Sequence, residues 1–161
     1  MNYSTKEVID IAIAIEDTGY YFYTQCRNKF EDRTFRELFG FLAQEELRHR
    51  EIFEKLHPQE YSSKAASTDE FHYNLRAISE SKVFKNNNDV DTIVKNLRTP
   101  KDVFKVALTA EKDSILWYSE VEIMYEPGSD THIILGRLIG EERRHVVTLL
   151  EVQEKMGLLD Q

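Results

Sequence analysis

Two segments of the chain, Glu45-Glu46-Leu47-Arg48-His49 and Glu141-Glu142-Arg143-Arg144-His145, nearly copy one another across 96 residues. Each carries Glu-x-x-His, acid and imidazole on one helical face, inside apolar residues spaced by threes and fours. Ionisable groups written into an apolar stripe must find partners from other helices in the core, so the chain needs a bundle that brings such stripes together. The spacing alone is common. With 19 Glu and 5 His in 161 residues, chance supplies about 0.6 such pairs. A third pair, Glu54 and His57, runs into Pro58 and has no copy, because Leu150 and Gln153 stand 96 positions later. The weight therefore rests on the duplication and its context.

Only six Gly, three Pro and one Cys interrupt the helical periods, which predicts a single all-α domain over residues 1–161. At this length a chain buries roughly 70% of its unfolded surface. The net charge of −8 disfavours nucleic acid and anionic membrane as partners. No run approaches the roughly 18 apolar residues of a membrane span. The start lacks a basic, apolar leader and reads as mature protein, and a lone Cys26, expected as a buried inert thiol, fits the cytoplasm.

Ser4-x-x-Glu7 is a capping box opening a helix from 5 to about 29, and a second helix runs to His57 before Pro58. Thr99-Pro100-Lys101-Asp102 repeats the start signal for a third helix to about Glu126. After the turn at residues 127–130, a fourth runs from Thr131 to Met156 and stops at Gly157. The expected units are a helix pair over 5–57, a crossover over 58–99 and a pair over 100–156. A short helix is expected from Asp69 to Ser81, capped by Ser67 and Glu70, with Asn86 to Asp89 as a breaker. Each pair is antiparallel, while about 40 residues of crossover allow the second and third helices to run parallel. The first and third helices match at an offset of 95, setting Glu16 on Glu111 and Tyr23 on Tyr118. Such a repeat suggests a pseudo-two-fold axis.

In the fourth helix, Glu142 and His145 fill the two places missing from the stripe Leu135, Leu138, Leu149, Val152 and Met156. Glu46 and His49 do the same between Leu42 and Phe53, while Glu16 and Glu111 lie among Ile9, Ala12, Phe104 and Ala107. At 1.5 Å per residue all four acids fall roughly 20 Å from the hairpin turns, in one layer. Four bare carboxylates in a core are untenable, and two divalent cations would balance them while engaging both imidazoles. Mixed carboxylate and imidazole ligation suits two iron ions, with manganese as the alternative. Glu46 and Glu142 are expected to bridge, Glu16 and Glu111 to be terminal, with His49 and His145 one on each metal. Tyr23 and Tyr118 stand two turns beyond the terminal acids and are candidates to hydrogen-bond the carboxylates. His72 and His132 are expected at the surface, and Gly40, Gly136 and Gly140 at close helix contacts.

Glu16, Glu46-x-x-His49, Glu111 and Glu142-x-x-His145, with paired helices and a long crossover, resemble the ferritin-like di-iron superfamily and, most closely, its rubrerythrin branch. The resemblance implies a ferritin-like four-helix bundle and a non-haem di-iron oxidoreductase that reduces hydrogen peroxide or dioxygen, assembled as a homodimer or larger. Rubrerythrins commonly carry another Glu where this chain has Ser114, so the expected centre is a symmetric four-Glu, two-His one. They also append a Cys-rich electron-transfer domain. One Cys excludes it here, so a separate electron-donor protein is expected. The competing readings are a ferroxidase that handles iron and a bundle in which metal only stabilises the core.

Overall fold

The computed structural model describes residues 2–56 and 67–159, and among them six helices and no strand. Helix α1 spans Thr5–Lys29, and Ser4 and Glu7 form the expected capping box. Asp32 caps α2, Arg33–Lys55, by accepting from the Phe35 amide. That helix ends two residues before the expected His57, at the extended Leu56; His57 and Pro58 lie outside the described residues. Thr99 and Asp102 box the start of α5, Pro100–Glu122, with Pro100 in its first turn. This helix stops four residues short of Glu126, because the chain from Ile123 tightens into successive turns, with Met124 and Tyr125 amides bonded three residues back. Ser129 then caps α6, Asp130–Lys155, and Gly157 at φ 67° supplies the left-handed residue just past its end.

The crossover differs most from expectation. Its first helix, α3, spans Asp69–Ser81 as the pattern predicts, but the cap is Thr68, whose hydroxyl accepts from the Phe71 amide, rather than Ser67. The expected breaker is the start of a further helix, α4, Asn87–Asn96, capped by Asn86 through the Asn88 and Asp89 amides.

Helix α1 packs mainly on α2, and α5 on α6, while α4 lies against α1 and α3 against α5. Two apolar clusters fill the bundle. One joins Val8, Ala12 and Ile15 of α1 to Phe53 of α2, Trp117 and Val121 of α5, and Leu135 and Leu138 of α6. The other joins Phe22 and Cys26 of α1 to Phe35 and Phe39 of α2, Phe104 of α5 and Leu149 of α6. The early part of α1 thus meets the late parts of α2 and α5 and the early part of α6. Helices α2 and α5 consequently run parallel, as the crossover length allowed, and both hairpins are antiparallel. Between the two clusters lies the layer of acids. No described helix is long and apolar enough to cross a membrane.

His72 is not at the surface: it is buried, accepts a hydrogen bond from the Tyr3 amide at 3.2 Å, and packs on Phe71. His132 is half-buried, 3.8 Å from Glu122 of α5. Cys26 is fully buried, and burial pushes its thiol well above the usual range, so the expected inert role holds. A Cβ at Gly40, Gly136 or Gly140 would meet the side chains of Arg27, Glu122 or Arg144, not a neighbouring helix backbone. Gly40 and Gly136 thus stand at close contacts with a neighbouring helix's side chain, at 3.3 and 3.1 Å, while Gly140 does not.

Candidate metal centre

The six residues singled out by the sequence converge. Glu16, Glu46, His49, Glu111, Glu142 and His145 are each at most 4% exposed. They form two overlapping groups whose donor atoms lie within 4.8 Å of one another: Glu16, Glu46, His49 and Glu142, then Glu46, Glu111, Glu142 and His145. Glu46 and Glu142 are common to both. His49 Nδ1 lies 2.9 Å from Glu142 Oε1 and 3.6 Å from Glu16 Oε2, while His145 Nδ1 lies 3.2 Å from Glu142 Oε2 and 3.4 Å from Glu111 Oε2. The two imidazole rings stack with centroids 5.6 Å apart. Each half of the repeat thus supplies the counterpart of the other.

The tyrosines do bond the carboxylates, across the bundle. Tyr23 of α1 donates to Glu111 of α5 at 2.5 Å, and Tyr118 of α5 donates to Glu16 of α1. Each stands seven residues beyond its own helix's acid, about 10 Å along the axis. The reciprocal pair ties α1 of one hairpin to α5 of the other at two points. Burial and the neighbouring carboxylates hold both phenols well above their usual range, so they remain donors.

A further layer was not singled out by sequence reasoning, although its residues open the two repeated segments. Glu141 of α6 lies 2.9 Å from His49 Nε2, and Glu45 of α2 lies 3.8 Å from His145 Nε2. Arg48 bonds both acids, at 2.9 Å to Glu45 and 2.6 Å to Glu141. Acid, arginine and imidazole thus form a lattice that fixes which ring nitrogen faces the core. The signal for it was the repetition of the residue before each Glu-x-x-His. Gly19 was missed too. A Cβ there would stand 3.0 Å from Glu46 Oε2, so only the bare backbone leaves that carboxylate its position.

The electrostatics are those of a site built for more positive charge than the protein supplies. Burial, with Glu142 and other acids adding, drives Glu16 and Glu46 well above the carboxylate range. Burial and the charge of Glu142 push Glu111 up to about 8. Burial opposes charge on the imidazoles, yet the surrounding carboxylates carry His49 up to about 9 and His145 to about 10. Of the four core acids, Glu142 alone goes the other way: burial raises it, but both histidines outweigh that and hold it well below the usual range. Without a cation, protons do the neutralising.

The donor set fits a pair of metal ions. Glu16 Oε2, His49 Nδ1, Glu111 Oε2 and Glu142 Oε1 are buried and lack a hydrogen-bond partner, although His49 Nδ1 and Glu142 Oε1 approach to 2.9 Å. Buried polar atoms left unpaired cost roughly 1–3 kcal/mol each. Atoms that crowd together without aligning as donor and acceptor are arranged for a shared third partner, and carboxylate oxygen with imidazole nitrogen suits iron or manganese.

The family model described as Rubrerythrin matches residues 7–152. Among solved structures, a Thermotoga maritima protein described as ferritin-like and diiron-carboxylate is 24% identical, with a TM-score of 0.71 over 96% of this chain and 97% of its own. At that identity the likeness speaks for the fold. No curated protein matches the chain.

Proposed function

The chain belongs to the rubrerythrin family, and from that membership we propose that it is a non-haem di-iron oxidoreductase that reduces hydrogen peroxide or dioxygen with electrons from a separate donor protein. The observation that carries the reading is the pair of overlapping donor groups that share Glu46 and Glu142. In this reading Glu16, Glu46, His49 and Glu142 would hold one metal ion, and Glu46, Glu111, Glu142 and His145 the other. Two iron ions bound there would supply the electrons that the oxidant takes up.

The protein's own part is positioning and exclusion. Tyr118 and Tyr23 each occupy one oxygen of Glu16 and Glu111, leaving the other oxygen of each directed at the centre. Glu141 and Glu45 stand behind the imidazoles and keep Nδ1 of each turned inward. The apolar clusters on both sides keep bulk water from the layer, which strengthens every charge interaction within it.

Anaerobic Fe(II) protein mixed with peroxide in a stopped-flow instrument tests the proposal. Rapid growth of near-ultraviolet ferric absorption is expected, and repeated turnover once a reductant is added. Oxidation no faster than that of free Fe(II), with peroxide and with dioxygen alike, would overturn it. A burst without turnover, followed by growth of a mineral, would favour iron handling instead.

A further inference from the structure

A small cavity reaches the acid layer from the side of α1 and α5 that the crossover covers. Its lining includes Glu46 and Glu111 of the layer, Gly19 and Ser114 beside them, and Lys82 and Phe84 of the crossover. Its volume of about 20 Å³ exceeds the roughly 10–15 Å³ that one water needs, so it holds a molecule of very few atoms. Gly19 and Ser114 occupy equivalent places in the repeat, each three residues after its helix's acid. Small residues at both places leave room beside the acids. Among the described residues, Lys82 is the only cation in the lining.

The lysine is held in place. Its ammonium lies 5.5 Å from the centroid of the buried Trp117 ring, inside the range for attraction between a cation and an aromatic face. Asp113, which accepts from the Val83 amide at 2.7 Å, lines the same cavity and anchors the segment carrying Lys82 to α5. Burial lowers the amine to about 8 against the opposing charge of Asp113, so it remains largely a cation at neutral pH. A cation and two core carboxylates lining one small passage suit a molecule of few atoms that accepts a hydrogen bond. A bulky oxidant does not fit a cavity of this volume.

We propose that this cavity is the seat of the small oxidant, and that Lys82 is the residue that selects it by donating a hydrogen bond to a molecule of two or three heavy atoms. The assignment rests on the oxidoreductase reading above, and its tests are chosen to read separately from it. Protein loaded with Co(II), whose visible spectrum reports ligand changes without redox chemistry, is titrated with azide as the probe. Lys82→Met is expected to weaken azide binding about tenfold, as loss of a hydrogen bond to a charged group does. Bound cobalt per chain stays unchanged, and Lys82→Arg retains most of the affinity. Azide affinity within twofold of the parent in Lys82→Met overturns the role of Lys82.

The passage itself is read in the metal-free protein through Ser114→Cys. A methyl thiosulfonate should label the new thiol at least about tenfold faster than an aromatic disulfide does, while the buried Cys26 stays unlabelled. Equal rates with both reagents, or protection from both, would overturn the cavity as a size-selective route. Hydrogen peroxide and tert-butyl hydroperoxide are then compared on the Fe(II) protein. Preference for the smaller supports the proposal, and equal rates count against it. Failure of both peroxides and of dioxygen to react would defeat the oxidoreductase reading, while the azide and labelling results would still judge the pocket.

Discussion

Gly19 stands three residues after Glu16 on α1, and what it lacks matters as much as what its neighbours carry. Ala is the better helix former by about 1 kcal/mol, so Gly19→Ala should leave the metal-free fold as stable or more so. The added Cβ meets Glu46 Oε2 at 3.0 Å. The expected outcome is a metal-free melting temperature equal to or above the parent's, with metal affinity lowered about tenfold by calorimetry. Tyr118→Phe tests the other side of the layer. It leaves Glu16 Oε1 without its donor, at a cost of about 1–3 kcal/mol measured by denaturant unfolding. The protonation of the layer also gives pH a definite sign. Glu111, raised to about 8, and His49 and His145, raised to about 9 and about 10, bind more protons folded than unfolded. Their contribution to metal-free stability is greatest in mild acid and is lost as pH rises toward those values. Glu142 works oppositely, losing its contribution only as pH falls below the ordinary carboxylate range. Metal ligands must shed those same protons. The gap in melting temperature between metal-loaded and metal-free protein should therefore widen from about pH 5 to about pH 8, a trend that scanning calorimetry follows. A gap that narrows would contradict the protonated layer.

At the scale of helices, most boundaries were legible because capping chemistry is local. Ser4 with Glu7, and Thr99 with Asp102 after Pro100, satisfy amides within one turn, so their effect needs no other part of the chain. Helix α4 was not legible for the same local reason applied wrongly. Asn86-Asn87-Asn88-Asp89 reads as a breaker because each of those residues favours turns, yet the first caps and the rest form a first turn whose only fully buried side chain is Val90. Asn86→Ala should cost about 1 kcal/mol, and hydrogen exchange should locate the loss in α4 and the adjoining face of α1. The early end of α5 was not legible either. Its apolar pattern continues through Met124 and Tyr125, which are buried from turns, and periodicity cannot tell a buried turn from a buried helix end.

Over the whole molecule, the acid layer sits between two apolar clusters, so the candidate metal centre and the core are one construction. Phe104, fully buried among Phe35 and Phe39 at one end, is a direct probe of it. Phe104→Ala should destabilise the protein by about 3–5 kcal/mol whether or not metal is bound. Stripping the metal with a chelator, by contrast, should lower the melting temperature by an amount that grows with the logarithm of the metal concentration it replaces. The sequence alone determined the helical bundle, the four acids and two histidines, and their common level, because the duplication and the core-stripe positions are properties of spacing along a helix. Only the tertiary structure decided which partner each group meets. Tyr23 bonds the acid of the other hairpin, Glu141 backs the histidine of the other helix, Gly19 yields to Glu46, and Lys82 closes a cavity from the crossover. Each of these contacts joins residues far apart in the chain, and periodicity fixes the face a side chain occupies but not what the opposing helix places there.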